Sequence, residues 1–259
     1  MRISTSFLIA TLLVVPVALQ ASQCNVKSGS TRVALLELYT SEGCSSCPPA
    51  DEWLSKLSKQ GVGPDQLLPL SLHVDYWDYI GWQDPFAGPE YTQRQREIGQ
   101  RNRLRSIYTP QMVFNGRDFR SWRRQNISPL LKEVNAWPAA ANLSLGWNDA
   151  SGESLNLDLN AELLADAGAG SVLFLAVYEN DLVSNVNAGE NSGRALHHDY
   201  VVREMLAIPF LDKRQFSKQL KLAIKPEWKP RNLGIAVFVQ NRTNGEVLQA
   251  LSSPLKCKS

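Results

Sequence analysis

The sequence is poor in cysteine and histidine, with four Cys and three His among 259 residues. Cys44 and Cys47 are the one closely spaced cysteine pair, and no second pair accompanies them. His197 and His198 are adjacent, so on a strand their side chains would point to opposite faces and would not chelate one ion easily. A structural zinc site built from two close ligand pairs is therefore not expected.

The chain also lacks an excess of charge of either sign, since 27 Lys and Arg residues oppose 25 Asp and Glu residues. Nothing in this balance demands a nucleic acid or an anionic membrane as partner. Five arginines lie between residues 94 and 105, and we interpret them as a solvated helix face paired with acids. We expect no nucleic-acid partner.

Long apolar runs are missing too, because none approaches the roughly 20 residues that a membrane span needs. The run from Phe7 to Ala18 is short, follows the basic start Met1-Arg2 and precedes the small residues Ala21-Ser22. This order is typical of a secretory signal peptide, here 1–21, with a retained N-terminal anchor as the alternative. We expect a periplasmic or secreted protein without a membrane span.

In an exported chain, an even number of cysteines favours disulfides over free thiols. Cys44 and Cys47 most naturally pair with each other. Cys24 and Cys257 would then form a structural disulfide between the two ends of the mature chain. Such a bridge would close a very long loop and stabilise the fold by up to about 5 kcal/mol in the chain-entropy model.

The first half of the mature chain has the pattern of an α/β domain. The apolar run 32–39 predicts a strand buried on both faces. Residues 48–60 have helical spacing and end at Gly61, and a second apolar run follows over 67–77. Strand, helix and strand in this order predict a parallel crossover unit.

A hairpin and a helix complete this half. Asn115-Gly116, between two short apolar runs, is the strongest local hairpin signal. A helix is predicted over 127–137, with Ser128 before Pro129 at its start. One parallel crossover, one hairpin and a final helix give the thioredoxin-like order over 31–137.

After residue 137 the pattern changes to period-two alternation and short apolar runs. Regularly spaced short strands predict a β-sandwich of roughly seven strands over 138–259. The predicted fold class is therefore α/β plus all-β: a thioredoxin-like domain followed by a β-sandwich domain.

The pair Cys44-Ser45-Ser46-Cys47 follows a buried strand and precedes a helix. A helix N-terminus favours a thiolate over a thiol. Cys44 is the candidate solvent-reachable nucleophile, and Cys47 would resolve the mixed disulfide. Because Pro48 must lie in the first helical turn, Cys44 sits one turn further out, and serine hydroxyls could compensate. The alternatives are an inert disulfide and a metal site.

Two further residues complete the predicted redox site. Pro110 comes directly before the hairpin, where thioredoxin-like folds place a cis-proline beside the cysteines to position the substrate backbone. Glu37 is the one charged residue in the apolar run 32–39, and it is the candidate proton acceptor for the resolving thiol. The alternative is a carboxylate bonded to Arg or Tyr.

His73 and Asp75 follow at the end of the second predicted strand, the edge at which α/β folds place their sites. His73 with Cys44 and Cys47 is a weak candidate set for copper or zinc. A hydrogen-bonded structural histidine is the alternative.

Four aromatic residues crowd the polar insertion after this strand. They would form a lid or peptide-binding wall over the cysteines, or pack the insertion onto the second domain. They are Trp77, Tyr79, Trp82 and Phe86.

The blocks 37–57, 73–95, 108–117 and 189–204 together resemble a family of secreted, bacterial thioredoxin-superfamily proteins catalogued as a domain of unknown function. The resemblance extends over essentially the whole mature chain. It implies the thioredoxin-like fold and export, and it hardly bears on activity. The role of 189–204 is left open.

Three hypotheses follow. The first is a thiol–disulfide oxidoreductase that uses Cys44, Cys47 and Pro110, acts on a protein or small thiol or disulfide, and needs no cofactor because the disulfide carries the electrons. The second is a non-catalytic binding protein with a structural disulfide. The third is a copper- or zinc-binding protein.

Overall fold

The computed structural model of the protein describes residues 23–148, 153–164, 170–210 and 214–256. Within these ranges it is a mixed α/β protein in which strands predominate. The predicted signal peptide, 1–21, and Cys257 of the predicted Cys24–Cys257 bridge lie outside the described residues. No helix of the described ranges combines the length and the apolar character needed to cross a membrane.

Fourteen strands and three α-helices make up the described chain. The strands are β1 Gln23–Lys27, β2 Ala34–Thr40, β3 Leu67–His73, β4 Gln111–Phe114, β5 Arg117–Asp118, β6 Ala141–Asn148, β7 Ser154–Leu163, β8 Ser171–Glu179, β9 Leu182–Asn185, β10 Ala195–His198, β11 Val201–Pro209, β12 Gln215–Ala223, β13 Leu233–Asn241 and β14 Val247–Pro254. The helices are α1 Pro48–Lys59, α2 Pro89–Arg101 and α3 Ser128–Val134.

Local sequence signals produce the elements of the first half. β2 and β3 pair in parallel through α1, as the crossover pattern predicts. Gly61, with a φ of 86°, follows the end of α1. Asn115 and Gly116 both have positive φ, 45° and 77°, and turn the chain between the antiparallel strands β4 and β5, since a type I′ turn requires this conformation at both positions.

Eight strands form the main sheet, in the order β14-β13-β8-β11-β3-β2-β4-β5. The sheet therefore combines strands from both sides of residue 138, joined where Val201 of β11 pairs in parallel with Ser71 of β3. The predicted division into 31–137 and 138–259 remains a prediction. The two ranges nevertheless share this sheet through one narrow connection.

Three hydrophobic cores hold the layers together. The four-stranded antiparallel sheet β1-β6-β7-β12 packs on β8, β13 and β14 through the first core. A second core lies where β14 approaches β2 and β3, so that the main sheet folds back on itself. In the third, α1 and α3 cover the other face of β2 and β4.

The block 189–204 lies against the first half of the chain. It contains a loop, strand β10 and the start of β11, and β10 pairs with β9 in a separate two-stranded sheet. β10 also contacts α1. Neither β9, β10 nor β11 follows from the sequence pattern, yet these strands bring the second half of the chain to the cysteines.

Candidate functional site

Cys44 and Cys47 form a disulfide with their Cα atoms 5.4 Å apart. The bond closes the turn between the end of β2 and the start of α1, where Cys47 is the residue before the first helical position. The Ser46 hydroxyl lies 3.4 Å from Cys44 Sγ. Once the bond is reduced, that hydroxyl can donate to a Cys44 thiolate and favour the charged form.

Both sulfur residues are buried, with Cys44 only 1% and Cys47 0% exposed. The prediction of a solvent-reachable Cys44 is therefore wrong for this structure. The reason is a cover over the cysteine turn, formed by two segments, 75–82 and 189–191.

Segment 75–82 packs directly on the residue before Cys44. A Cβ at Gly43 would lie 3.2 Å from both Trp77 Cβ and Ile80 Cδ1, so only hydrogen fits comfortably there. Trp77 Nε1 also donates a 2.7 Å hydrogen bond to Thr109 Oγ1. Through these contacts the segment ties the cysteine turn to the loop that precedes β4.

Segment 189–191 holds the same turn through its backbone. Asn191, fully buried, donates from Nδ2 to the carbonyl oxygens of Glu42 at 2.8 Å and Cys44 at 3.0 Å. The Ser45 amide donates to Glu190 Oε2 at 2.9 Å. The block 189–204, whose role the sequence left open, therefore supplies part of the cover.

The four aromatic residues of the insertion do not share one role. Trp77 packs on the cysteine turn, as a lid would. Phe86 instead contacts the His198 ring of the second half, at 5.9 Å between centroids. Trp82 donates from Nε1 to Glu42 Oε2 at 2.8 Å, whereas Tyr79 is 82% exposed.

Pro110 follows a cis peptide bond from Thr109, as expected. It lies one residue before Gln111, which pairs with Tyr39 near the end of β2. Pro110 is therefore at the same end of the sheet as the cysteine turn.

Glu37 lies in the central strand β2 but faces away from α1. Its neighbours Leu36 and Leu38 belong to the core under α1, and strand alternation turns Glu37 to the other face. There Glu37 Oε1 forms a buried 2.6 Å ion pair with Arg94 Nε and accepts a 3.0 Å hydrogen bond from the Tyr39 hydroxyl. This is the alternative interpretation of Glu37, as a partner of Arg and Tyr rather than of the cysteines.

The contacts of Arg94 correct one prediction, and those of Tyr39 shift a pKa. Arg94 is not part of a solvated helix face, because its guanidinium is buried and stacks 4.4 Å from the Phe174 ring centroid. Burial, and next the charge of Glu37, raise the pKa of Tyr39 well above its usual value.

Five buried ionisable residues form a cluster behind the cysteine turn, and three of them were not predicted from the sequence. His73, fully buried, contacts Asp84 Oδ2 through Nδ1 at 2.7 Å. The same carboxylate oxygen accepts a 2.8 Å hydrogen bond from the Glu42 amide. Although burial raises the pKa of Asp84, the adjacent His73 holds it below its usual value. The three residues are Glu42, Asp51 and Asp84; His73 and His198 complete the five.

His198 lies beside His73 and completes this cluster. On β10 His197 is exposed and His198 buried, which confirms that the adjacent histidines diverge. His198 Nε2 lies 3.2 Å from Glu42 Oε1, and Nδ1 lies 3.6 Å from Asp51 Oδ1. Burial lowers the pKa of His198, but the nearby carboxylates of Asp51 and Glu42 outweigh it and raise the pKa to about 10.

The predicted metal set of Cys44, Cys47 and His73 is not assembled, because the two cysteines are bonded to each other. His73 instead meets residues distant in sequence. One ligand atom each from Asp51, His73 and His198 lies within 4.8 Å of the other two. The sequence gives two signals for this grouping of side chains: Asp51 lies in the first turn of α1, and His73 lies at the end of a strand.

The chain is similar to one family and to solved structures. The model of the family described as a protein of unknown function, DUF1223, matches residues 35–240. The crystal structure of protein AGR_C_4864 from Agrobacterium tumefaciens is 24% identical with a TM-score of 0.60, over 90% of this chain and 98% of that one. HBP35 of Porphyromonas gingivalis is 15% identical with a TM-score of 0.63, over 88% of this chain and 76% of that one. At these identities the likeness concerns the fold alone. No curated protein matches the chain.

Proposed function

We propose that this chain, which belongs to the DUF1223 family of proteins of unknown function, is an exported thiol–disulfide oxidoreductase that exchanges electrons through Cys44 and Cys47. The observation that carries the proposal is the place of the disulfide, in the turn between central strand β2 and the N-terminus of α1. The Ser46 hydroxyl, 3.4 Å from Cys44 Sγ, supports it.

The exchange conserves electrons between the protein and a thiol partner. A partner thiolate attacks Cys44 Sγ, forms a mixed disulfide and releases Cys47 as a thiolate, which takes up a proton. A second partner thiol then attacks the partner's sulfur in the mixed disulfide, loses its proton and releases Cys44. The partner becomes a disulfide, and Cys44 and Cys47 become thiols. The reverse sequence oxidises the protein.

Pro110 has a positioning role in this scheme. It lies at the sheet end next to the cysteine turn and directly precedes β4. A substrate chain placed along its backbone would bring a substrate sulfur towards Cys44.

Access to Cys44 requires the cover to move, because the residue is 1% exposed. The turn residues Ser45 and Ser46 are themselves exposed. The contact of Glu190 with the Ser45 amide lies at the surface. Opening of segment 189–191 would release its hydrogen bonds to Glu42, Cys44 and Ser45, which lie outside β2 and α1.

The fold and the location belong to the same proposal. The parallel pair β2–β3 joined through α1, followed by the β4–β5 hairpin and α3, supports a thioredoxin-like first half. The face-to-face packing of the four-stranded sheet on β8, β13 and β14 supports a β-sandwich second half. The signal-peptide pattern of residues 1–21 supports a periplasmic or secreted protein.

Burial of both cysteines favours a second candidate function, a binding protein whose disulfide is structural. In that case the bond closes the turn permanently, and the cover protects it from thiols. The two candidates differ in whether the sulfur of Cys44 ever meets a partner.

Trapping of a mixed disulfide tests the proposal. In Cys47→Ser the resolving thiol is missing, so we expect partners to stay attached to Cys44 and to appear on non-reducing gels and in peptide mass spectra. Cys44→Ser is the matched control and should trap far less. In a glutathione redox buffer, the wild-type pair should equilibrate between disulfide and dithiol.

A wild-type bond that stays oxidised across the whole glutathione range, together with no adduct on Cys44 in Cys47→Ser, would overturn the redox function. It would support the structural disulfide. Mapping of the adduct to Cys44 by mass spectrometry separates it from an adduct at any other cysteine.

A further inference from the structure

We propose that Asp51, His73 and His198 bind a divalent transition-metal ion, and that Zn²⁺ is the ion their chemistry suits best. The site lies behind the cysteine turn and uses no sulfur. It is independent of the proposed redox function, because neither Cys44 nor Cys47 is a ligand.

His73 is oriented as a metal ligand. Its Nδ1 faces Asp84 Oδ2 at 2.7 Å, and a neutral ring that donates from Nδ1 to this carboxylate has its lone pair on Nε2. Nε2 is buried and has no hydrogen-bond partner among the described residues. Histidines that bind metals commonly donate their other ring N–H to a carboxylate in this way.

His198 repeats the arrangement with its nitrogens exchanged. Nε2 is held by Glu42 Oε1 at 3.2 Å. Nδ1 is buried, has no hydrogen-bond partner in the part of the chain that the structure describes, and lies 3.6 Å from Asp51 Oδ1. The rings of His198 and His73 are 5.0 Å apart between centroids.

Asp51 supplies the third ligand atom. Its Oδ2 accepts a 3.0 Å hydrogen bond from Thr40 Oγ1, which leaves Oδ1 directed towards His198. All three ligands are therefore held by an outer partner: Asp84 for His73, Glu42 for His198 and Thr40 for Asp51.

The charge of the cluster favours a cation. Three carboxylates, of Glu42, Asp51 and Asp84, are buried together with two imidazoles. Across the described ranges, neither Lys nor Arg forms an ion pair with these carboxylates. Buried carboxylates need compensating positive charge; the imidazolium form of His198 supplies one such charge, and a divalent ion would supply two.

Two imidazoles and one carboxylate suit a borderline ion such as Zn²⁺, with a fourth position for another ligand. The ligand atoms, within 4.8 Å of one another, would close to about 3.4 Å around an ion about 2.1 Å from each. Side-chain rotations that move each ligand atom by about 1 Å suffice to bring the three atoms to these distances.

Zn²⁺ titration of the oxidised, chelator-treated full mature chain tests the site. We expect one equivalent per chain by calorimetry in the wild type. The matched pair is His198→Gln and His197→Gln: the first should bind more than about 100-fold more weakly, since even outer-shell partners contribute about 10–100-fold. The second should bind like the wild type, because His197 is exposed.

Asp51→Asn provides a second ligand variant should His198→Gln fail to fold, as circular dichroism would reveal. X-ray absorption at the zinc edge reads the ligands in the wild type directly. We expect nitrogen and oxygen at about 2.0–2.2 Å and no sulfur. Zn²⁺ should also raise the melting temperature of the wild type.

Absence of stoichiometric Zn²⁺ in the wild type would overturn the site, and so would unchanged affinity in His198→Gln or Asp51→Asn. A sulfur ligand in the absorption spectrum would overturn it as well. Cys44→Ala/Cys47→Ala should keep the Zn²⁺ affinity, so failure of the redox function would leave this result unaffected.

Discussion

The side-chain Nδ2 of Asn191 donates a 3.0 Å hydrogen bond to the carbonyl oxygen of Cys44, which precedes it by 147 residues. A second bond from the same nitrogen reaches the carbonyl of Glu42 at 2.8 Å. One buried amide thus fixes the backbone on both sides of Gly43. The stability of the cover depends on this residue.

We expect Asn191→Ala to speed reduction of the Cys44–Cys47 bond. Loss of the amide leaves two carbonyls without their donor, which costs about 1–3 kcal/mol and should raise the open population roughly tenfold or more. The rate of reduction by dithiothreitol, followed by thiol labelling, measures the effect. Ser192→Ala is the control, since Ser192 is exposed and its hydroxyl donates to the Asn187 carbonyl rather than to the cysteine turn. Equal rates in both variants would show that Asn191 does not limit access.

Arg94→Ala should destabilise the protein by about 3–5 kcal/mol, because it leaves the Glu37 carboxylate buried without its partner. It also removes the stacking on Phe174. Urea unfolding measures the free energy of unfolding. Arg96→Ala, on the exposed side of α2, should change it by less than about 0.5 kcal/mol. A similar small effect in both variants would contradict the importance of the ion pair.

Thr40→Val should weaken Zn²⁺ binding about 10–100-fold, because Asp51 Oδ2 loses the hydroxyl that orients it. The side-chain shape is retained, so the fold should persist. Thr92→Val is the matched control: Thr92 is also buried, but its hydroxyl contacts Asp75 instead. Calorimetric titration of both variants measures the difference. The same dissociation constant in both would argue against a positioning role for Thr40.

Gly234→Ala should destabilise the protein by about 1–3 kcal/mol through overpacking. Gly234 pairs with Tyr178 across β13 and β8, and a Cβ there would overlap the Tyr178 ring. Gly146→Ala is the control, since the nearest atom to its added Cβ would be 3.5 Å away. Thermal unfolding distinguishes the two. A destabilisation of equal size at both positions would point to backbone effects rather than the ring.

The elements that the sequence predicted correctly are those with local causes. Asn115-Gly116 makes its turn because both positions need positive φ, and Gly61 follows α1 for a similar reason. The short strands β9 and β10 have no such signal. They form where other parts of the chain offer partners, which periodicity does not reveal.

The site was only partly predictable. The Cys44–Cys47 bond and the cis bond before Pro110 could be expected from position alone. The burial of Cys44 could not, since Asn191 reaches it from the other half of the chain. His198 and Asp51 likewise come together from the two halves of the chain. For Glu37 the sequence did contain a usable signal. Strand alternation places Glu37 on the face opposite to Leu36, and Leu36 lies on the face that α1 covers.

The single register pair between Val201 and Ser71 has a practical meaning for anyone who wants to work with half of the molecule. A fragment that stops at residue 137 would expose β3 as an unpaired edge strand. Such an edge can pair with strands of other chains and cause aggregation. The fragment would also lack the histidine that lies over Asp51. Dissection by truncation is therefore the wrong tool for this protein, and point substitution in the intact chain is the right one.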